Sequence, residues 1–170
     1  MDFIMGIWYT YAVKGGRVSV HLFARTLTLY LPKTDYTALS IHESTGNVEI
    51  PKELTWTSAD ISVSTGDVRF FSAVREAVKI KTSTGSIRAE DISAGALTLS
   101  VATGGITVSG VTCEGEATVG VSTGRTELTE VVCGSLVSTG TTGDITLEHV
   151  TVGGEAVGQE KHGACQIQPV

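Results

Sequence analysis

Apolar residues alternate with polar ones in short runs along this chain, and the runs recur about every twenty residues. Val48-Glu49-Ile50, Val68-Arg69-Phe70, Ile87-Arg88-Ala89, Ile106-Thr107-Val108 and Ile145-Thr146-Leu147 each set two apolar side chains around a polar one. Alternation of period two is the pattern of a strand with one face buried. Each run follows a phrase ending in glycine: Ser44-Thr45-Gly46, Ser64-Thr65-Gly66, Ser83-Thr84-Gly85, Ala102-Thr103-Gly104 and Thr141-Thr142-Gly143, with Ser122-Thr123-Gly124 completing the series. The glycines step by 20, 19, 19, 20 and 19 residues, and Gly163 adds a further step of 20. A fixed period near twenty with strand alternation inside it predicts an all-β fold, a right-handed parallel β-helix (β-solenoid) of about seven coils.

The columns follow from the period. Val48, Val68, Ile87, Ile106, Thr126 and Ile145 lie two residues after their glycines; Ile50, Phe70, Ala89, Val108, Leu128 and Leu147 lie four after. Both columns are expected to point inward and stack, with Glu49, Arg69, Arg88, Thr107, Glu127 and Thr146 facing water. A second strand precedes each glycine, as in Leu97-Thr98-Leu99-Ser100-Val101, and a third short one is expected about Val74, Ile92, Val111, Val131 and Val150. Turning between strands in every coil calls for a residue that accepts positive φ, which gives the glycine its place. Thr45, Thr65, Thr84, Thr103, Thr123 and Thr142 form a ladder whose hydroxyls can bond one another or the turn backbone.

Residues 1–40 differ. They hold seven of the ten aromatics, Phe3, Trp8, Tyr9, Tyr11, Phe23, Tyr30 and Tyr36. Gly16-Arg17-Val18-Ser19-Val20 imitates the repeat but stands 30 residues before Gly46. Strands are expected over 18–23 and 26–31, with Pro32 ending the second. Residues 1–40 therefore read as an N-terminal aromatic cap with a degenerate first coil, and residues 41–170 as the repeats. A solenoid end must cover its last core layer, and large aromatics do so.

Composition then narrows the function. Among 170 residues the net charge is −6, and no Lys/Arg cluster occurs. A nucleic-acid partner is therefore not expected, because phosphate binding needs a concentrated basic surface. Met1 to Val13 is apolar, but too short to span a bilayer and without a basic leader region or small-residue cleavage site; neither a signal peptide nor a transmembrane helix is expected. Cys113 and Cys133 both fall nine residues after their glycines, in a column shared with Ala94 and Val152, which favours a buried structural pair over a disulfide or redox pair. Cys165 makes the cysteine count odd, and no CxxC pair occurs. His21, His42, His149 and His162 read as falling in different columns outside metal-ligand spacing. Asp67 and Asp144 share a column four coils apart, too far for acid–base work. Ser-Thr-Gly is followed by no lysine and no helix pattern, so it is no phosphate loop, and Gly-x-Ser-x-Gly is missing as a strand-to-helix elbow. A non-enzymatic protein with no cofactor and no metal is expected.

The repeated Ser-Thr-Gly phrase, with its following [Asp/Asn/Ser]-[Val/Ile]-x-apolar run, and the lead-in Leu27-Thr28-Leu29-Tyr30-Leu31-Pro32 resemble the bacterial adhesin-type family of β-strand repeat domains. That family is a domain of unknown function common in cell-envelope proteins, and the resemblance covers roughly residues 25–170. It implies a cell-envelope or extracellular location, and an adhesion or scaffold module binding protein or glycan along its β-helix faces. It supplies no catalytic residues. A self-assembling, bactofilin-like β-helix polymer is the alternative. The C-terminal end, lacking aromatics like those at the front, is expected to pair two chains as a homodimer.

Overall fold

The computed structural model describes residues 3–6, 9–22, 31–32 and 34–168, with side chains described over 15–21, 31–32 and 34–159. One sheet of twelve strands runs through them: β1 (Phe3–Gly6), β2 (Tyr9–Lys14), β3 (Arg17–Leu22), β4 (Asp35–Thr45), β5 (Val48–Ile50), β6 (Thr55–Thr65), β7 (Val68–Phe70), β8 (Ala73–Glu90), β9 (Ser93–Ala94), β10 (Ala96–Glu148), β11 (Thr151–Val152) and β12 (Ala156–Gln168). From β3 onward every pairing is parallel, and the chain winds a β-solenoid of about seven turns with about 19 residues in each. No helix occurs among the described residues.

A single turn shows how the sequence folds. Residues 96–103 run as the long face, the chain bends at Gly104, residues 105–109 form a middle face, a second bend falls at Gly110, and residues 111–114 form a short face ending at Gly115. Each residue sits over its counterpart one turn earlier: Leu97 over Val78, Leu99 over Ile80, Gly104 over Gly85, Ile106 over Ile87, Val108 over Ala89, and Cys113 over Ala94. The alternation of apolar and polar residues thus becomes columns. Ile61, Ile80 and Leu99 line the long face inside; Val68, Ile87, Ile106 and Ile145 line the middle face; Trp56, Val74, Ile92, Val111 and Val131 line the short face. All are essentially buried, and each such side chain stabilises by about 1.5–3 kcal/mol when fully removed from water. Glu49, Arg69 and Arg88 stand outward and exposed, while Thr107, Glu127 and Thr146 are half-buried on the same outer row.

The N-terminus departs from the sequence expectation. β1, β2 and β3 form an antiparallel meander, turned between β2 and β3 at Gly15 (φ 59°) and Gly16 (φ 75°). β3 then joins β4 in parallel with Val18 beside Leu39 and Val20 beside Ile41. Gly16-Arg17-Val18-Ser19-Val20 therefore matches the strand before a corner, not the strand after one. The resemblance to the repeat misleads because Gly16 closes a hairpin instead of turning a coil. Tyr36 is buried against Trp56 (ring centroids 5.0 Å apart) and donates its hydroxyl to the Pro32 carbonyl at 3.0 Å. The side chains of Phe3, Trp8, Tyr9, Tyr11, Phe23 and Tyr30 lie outside the described residues, as does most of the 26–31 strand.

Among the described residues, four polar atoms are buried without a hydrogen-bond partner: Glu43 Oε2, Trp56 Nε1, Thr126 Oγ1 and Ser138 Oγ. Glu43 is the costliest type among them, a carboxylate in line with Val63, and burial pushes its pKa up. A raised carboxyl pKa means that the fold disfavours the ionised form. The penalty is absent below the unfolded pKa and grows as pH rises through and above it. Glu43→Leu is therefore expected to stabilise the protein at neutral pH, by about 1–3 kcal/mol, with a smaller gain near pH 4. Thermal melts of both proteins at the two pH values check this; an equal gain at both would remove the charge from the account.

Candidate functional site

Three corners and three outer faces make up the surface available for function. At the first corner Gly46, Gly66, Gly85, Gly104, Gly124 and Gly143 all hold φ between 136° and 150°, where only glycine is at ease. They are also stacked in contact. A β-carbon at Gly66, Gly85, Gly104, Gly124 or Gly143 would fall on the carbonyl oxygen of the glycine one layer before. Gly163, in β12, continues the column in register with Gly143.

Thr45, Thr65, Thr84, Thr103, Thr123 and Thr142 flank these glycines and are exposed at every layer. Their hydroxyls make no hydrogen bond among the described residues. Cross-layer bonding is carried by the residue after the glycine instead. The Asp67 N–H donates to Asn47 Oδ1 at 2.9 Å, and the Ser86 N–H donates to Asp67 Oδ1 at 2.8 Å. Backbone bonds run alongside, from Gly46 N–H to Thr65 O and from Gly66 N–H to Thr84 O, both 2.9 Å. Thr45, Thr65 and Thr84 are register partners and stand exposed in one outward row.

Two further corners escaped the sequence reading. Asp91, Gly110, Glu130 and His149 bend the second corner with φ of 51°, 62°, 53° and 52°. Gly95, Gly115, Gly134 and Gly154 form the third, where a β-carbon on Gly115 would lie 2.8 Å from the Gly95 carbonyl oxygen. The spacing of this second glycine column, 19 or 20 residues, was the signal that could have found it.

Cys113 and Cys133 lie inside the short face, in register with Ala94 and Val152 respectively, and both are free and buried. Burial pushes both thiols up, and Cys133 is raised further by Cys113. They are held as thiols, not as nucleophilic thiolates. Both are expected to react slowly with a thiol reagent in the native protein and together once it unfolds. Labelling followed by mass spectrometry checks this, and fast native labelling of either would place it at the surface. The side chain of Cys165 lies outside the described residues.

The outer faces differ in chemistry. The middle face carries ion pairs, Glu49–Arg69 at 3.7 Å and Arg125–Glu127 at 3.5 Å together with Arg88–Glu90, and the short face carries Asp35–Arg75 at 2.7 Å across two layers. Glu49–Arg69 and Asp35–Arg75 are exposed at both ends, while Glu90 and Glu127 are half-buried; such surface pairs each contribute about 0–1 kcal/mol. The long face is built of smaller groups: Ser40, Ser62, Thr98, Ser100, Thr118 and Thr139 stand outward in rows, interrupted by Asp60, Lys79 and Lys81. At its N-terminal edge His21 lies directly beside His42, the rings stacked with centroids 5.1 Å apart. This corrects the expectation that the histidines share no column. The pair is 21 residues apart because β3 enters the stack from a hairpin, outside the regular period. No cluster of three or more metal-ligating side chains occurs among the described residues.

The chain, with its glycine corner repeated in register and a Thr-Gly pair at each corner from Gly46 to Gly143, is matched by the family model Toastrack DUF4097 over residues 5–163. The chain belongs to the Toastrack family. Its adhesin-type resemblance resolves to this domain of unknown function. Comparison with curated proteins and with solved structures returned no match. No helix among the described residues of this Toastrack domain is long and apolar enough to cross a membrane.

Proposed function

We propose that this Toastrack domain is a non-enzymatic adhesion or scaffold module of the cell envelope, binding protein or glycan along its long face. The observation that carries this reading is the contrast between faces. Ion pairs occupy the middle and short faces, whereas the long face, beyond Asp60, Lys79 and Lys81, presents Ser62, Thr98, Ser100 and Thr139 as short hydroxyl groups on a stiff parallel sheet. Short hydroxyls lose little side-chain entropy on contact and both donate and accept. Among the described residues, the side chains whose pKa is displaced, Glu43, Cys113 and Cys133, are inside the stack rather than on this face. The resemblance of the repeats to envelope adhesin-type domains supports the location. Binding of the purified domain to glycan arrays and to isolated bacterial envelopes tests it. Ser100→Arg is expected to abolish binding and Thr146→Arg, on the middle face, to leave it intact; absence of binding, or equal loss in both, would overturn the reading.

End-to-end association is a second reading, favoured by β12, which among the described residues pairs only with β10. Such an edge recruits strands. Light scattering over a concentration series separates a closed dimer from open growth, and a strict monomer would remove both.

A further inference from the structure

We propose that His21 and His42 form a two-histidine site for a borderline divalent transition metal, Zn2+, Ni2+ or Cu2+, which clamps the first parallel layer to the second. Imidazole is a ligand that all three ions accept. The two residues are exact register partners on β3 and β4, both exposed, with rings 5.1 Å apart and 26° from parallel. Parallel neighbours hold their Cα atoms about 4.8 Å apart, so the side chains start from one place and point the same way. A metal about 2.0–2.1 Å from each nitrogen needs the two nitrogens roughly 3 Å apart. Rotation of two exposed rings about their χ angles brings them there without moving either strand. Ser40, Ser62 and Asp60 are the neighbouring outward residues, and no third strong ligand completes a cage among the described residues. Water fills the remaining positions, so the site exchanges freely and is unlike a closed structural zinc centre.

The consequence lies in where the two ligands sit. His21 belongs to the strand that joins the antiparallel meander to the stack, and His42 belongs to the stack itself. A metal held by both binds only while β3 is docked on β4, and so it stabilises the docked form by mass action.

Isothermal titration of the untagged full chain with Zn2+ and with Ni2+, near neutral pH, tests this directly. One site per chain and a rise in melting temperature with added metal are expected. Even an outer-shell partner of a ligand is typically worth about 10–100-fold in affinity, so His21→Gln and His42→Gln should each weaken binding by at least tenfold. His149→Gln, at a corner away from the pair, should not. Metal-free melts establish that each variant is folded, and Cu2+ bound to the unaltered chain should show two equatorial nitrogens by electron paramagnetic resonance. Absence of binding, binding that survives both substitutions, or a copper spectrum without two nitrogens would each overturn the proposal.

Discussion

Gly104→Ala is expected to unfold the solenoid or destabilise it by more than about 4 kcal/mol, while Gly105→Ala, one residue on, is expected to be tolerated. Two costs meet at Gly104. Its φ of 140° is one that an L side chain rarely adopts, at a cost of about 1–3 kcal/mol. The added methyl would also be driven into the Gly85 carbonyl oxygen beneath it. That oxygen belongs to backbone fixed by register on both sides, so it cannot swing away as a flexible side chain would. At Gly105 the nearest backbone atom to a new β-carbon is the Arg125 carbonyl oxygen at 3.5 Å, an ordinary contact, and φ is unexceptional. Alanine there also removes conformational freedom from the unfolded chain, worth about 0.4–1 kcal/mol in favour of folding. Chemical denaturation of the two variants reads the difference. Equal stability would mean that the layers do not touch at the corner.

Ile106→Asp should be comparably severe, and its neighbour again provides the contrast. Ile106 is 1% exposed, between Ile87 below and Thr126 in the same column above. A carboxylate in that column has no cation to meet, and the neutral carboxyl it becomes by taking up a proton still costs roughly 2–7 kcal/mol when buried without a hydrogen-bond partner. Thr107→Asp points outward on the same strand, and a loss within about 1 kcal/mol is expected. Melting of both at neutral pH reads the facing of the strand. Coincident melting temperatures would put the inward and outward columns in error.

The contrast between these paired positions also explains what could be read from the sequence. Gly104 was legible because positive φ at a close layer contact admits one residue type, so the requirement prints itself at every turn. The columns of Ile87, Ile106 and Ile145 were legible because a strand with one buried face must alternate. The second corner was not, because φ near 50° admits other residues at modest cost, and Asp91, Glu130 and His149 stand where only Gly110 would have been noticed. The recurring threonine hydroxyls suggest bonds to one another or to the turn backbone, yet between the layers of Asn47, Asp67 and Ser86 the side-chain bonds come from the position after the glycine. The His21–His42 contact was hidden for a different reason. It joins an irregular strand to a regular one, and the 21-residue interval belongs to neither the repeat nor the hairpin alone. Repeats reveal what every layer shares; a feature formed once, at the junction of two architectures, leaves no period.

Each turn lies directly on the one before, in the register set by the stacked glycines. Cysteines introduced at Arg88 and Thr107, with Cys113, Cys133 and Cys165 replaced by alanine, test it most directly. These two positions are register partners on the outside of the middle face, about 4.8 Å apart at Cα and within the range a disulfide spans. A second protein carries cysteines at Arg88 and Glu127, two layers apart and so separated by roughly 9.6 Å, beyond that range. Mild oxidation followed by mass spectrometry should find the 88–107 bridge formed in nearly every chain and the 88–127 bridge in almost none. Equal yields, or a preference for 88–127, would contradict the stack.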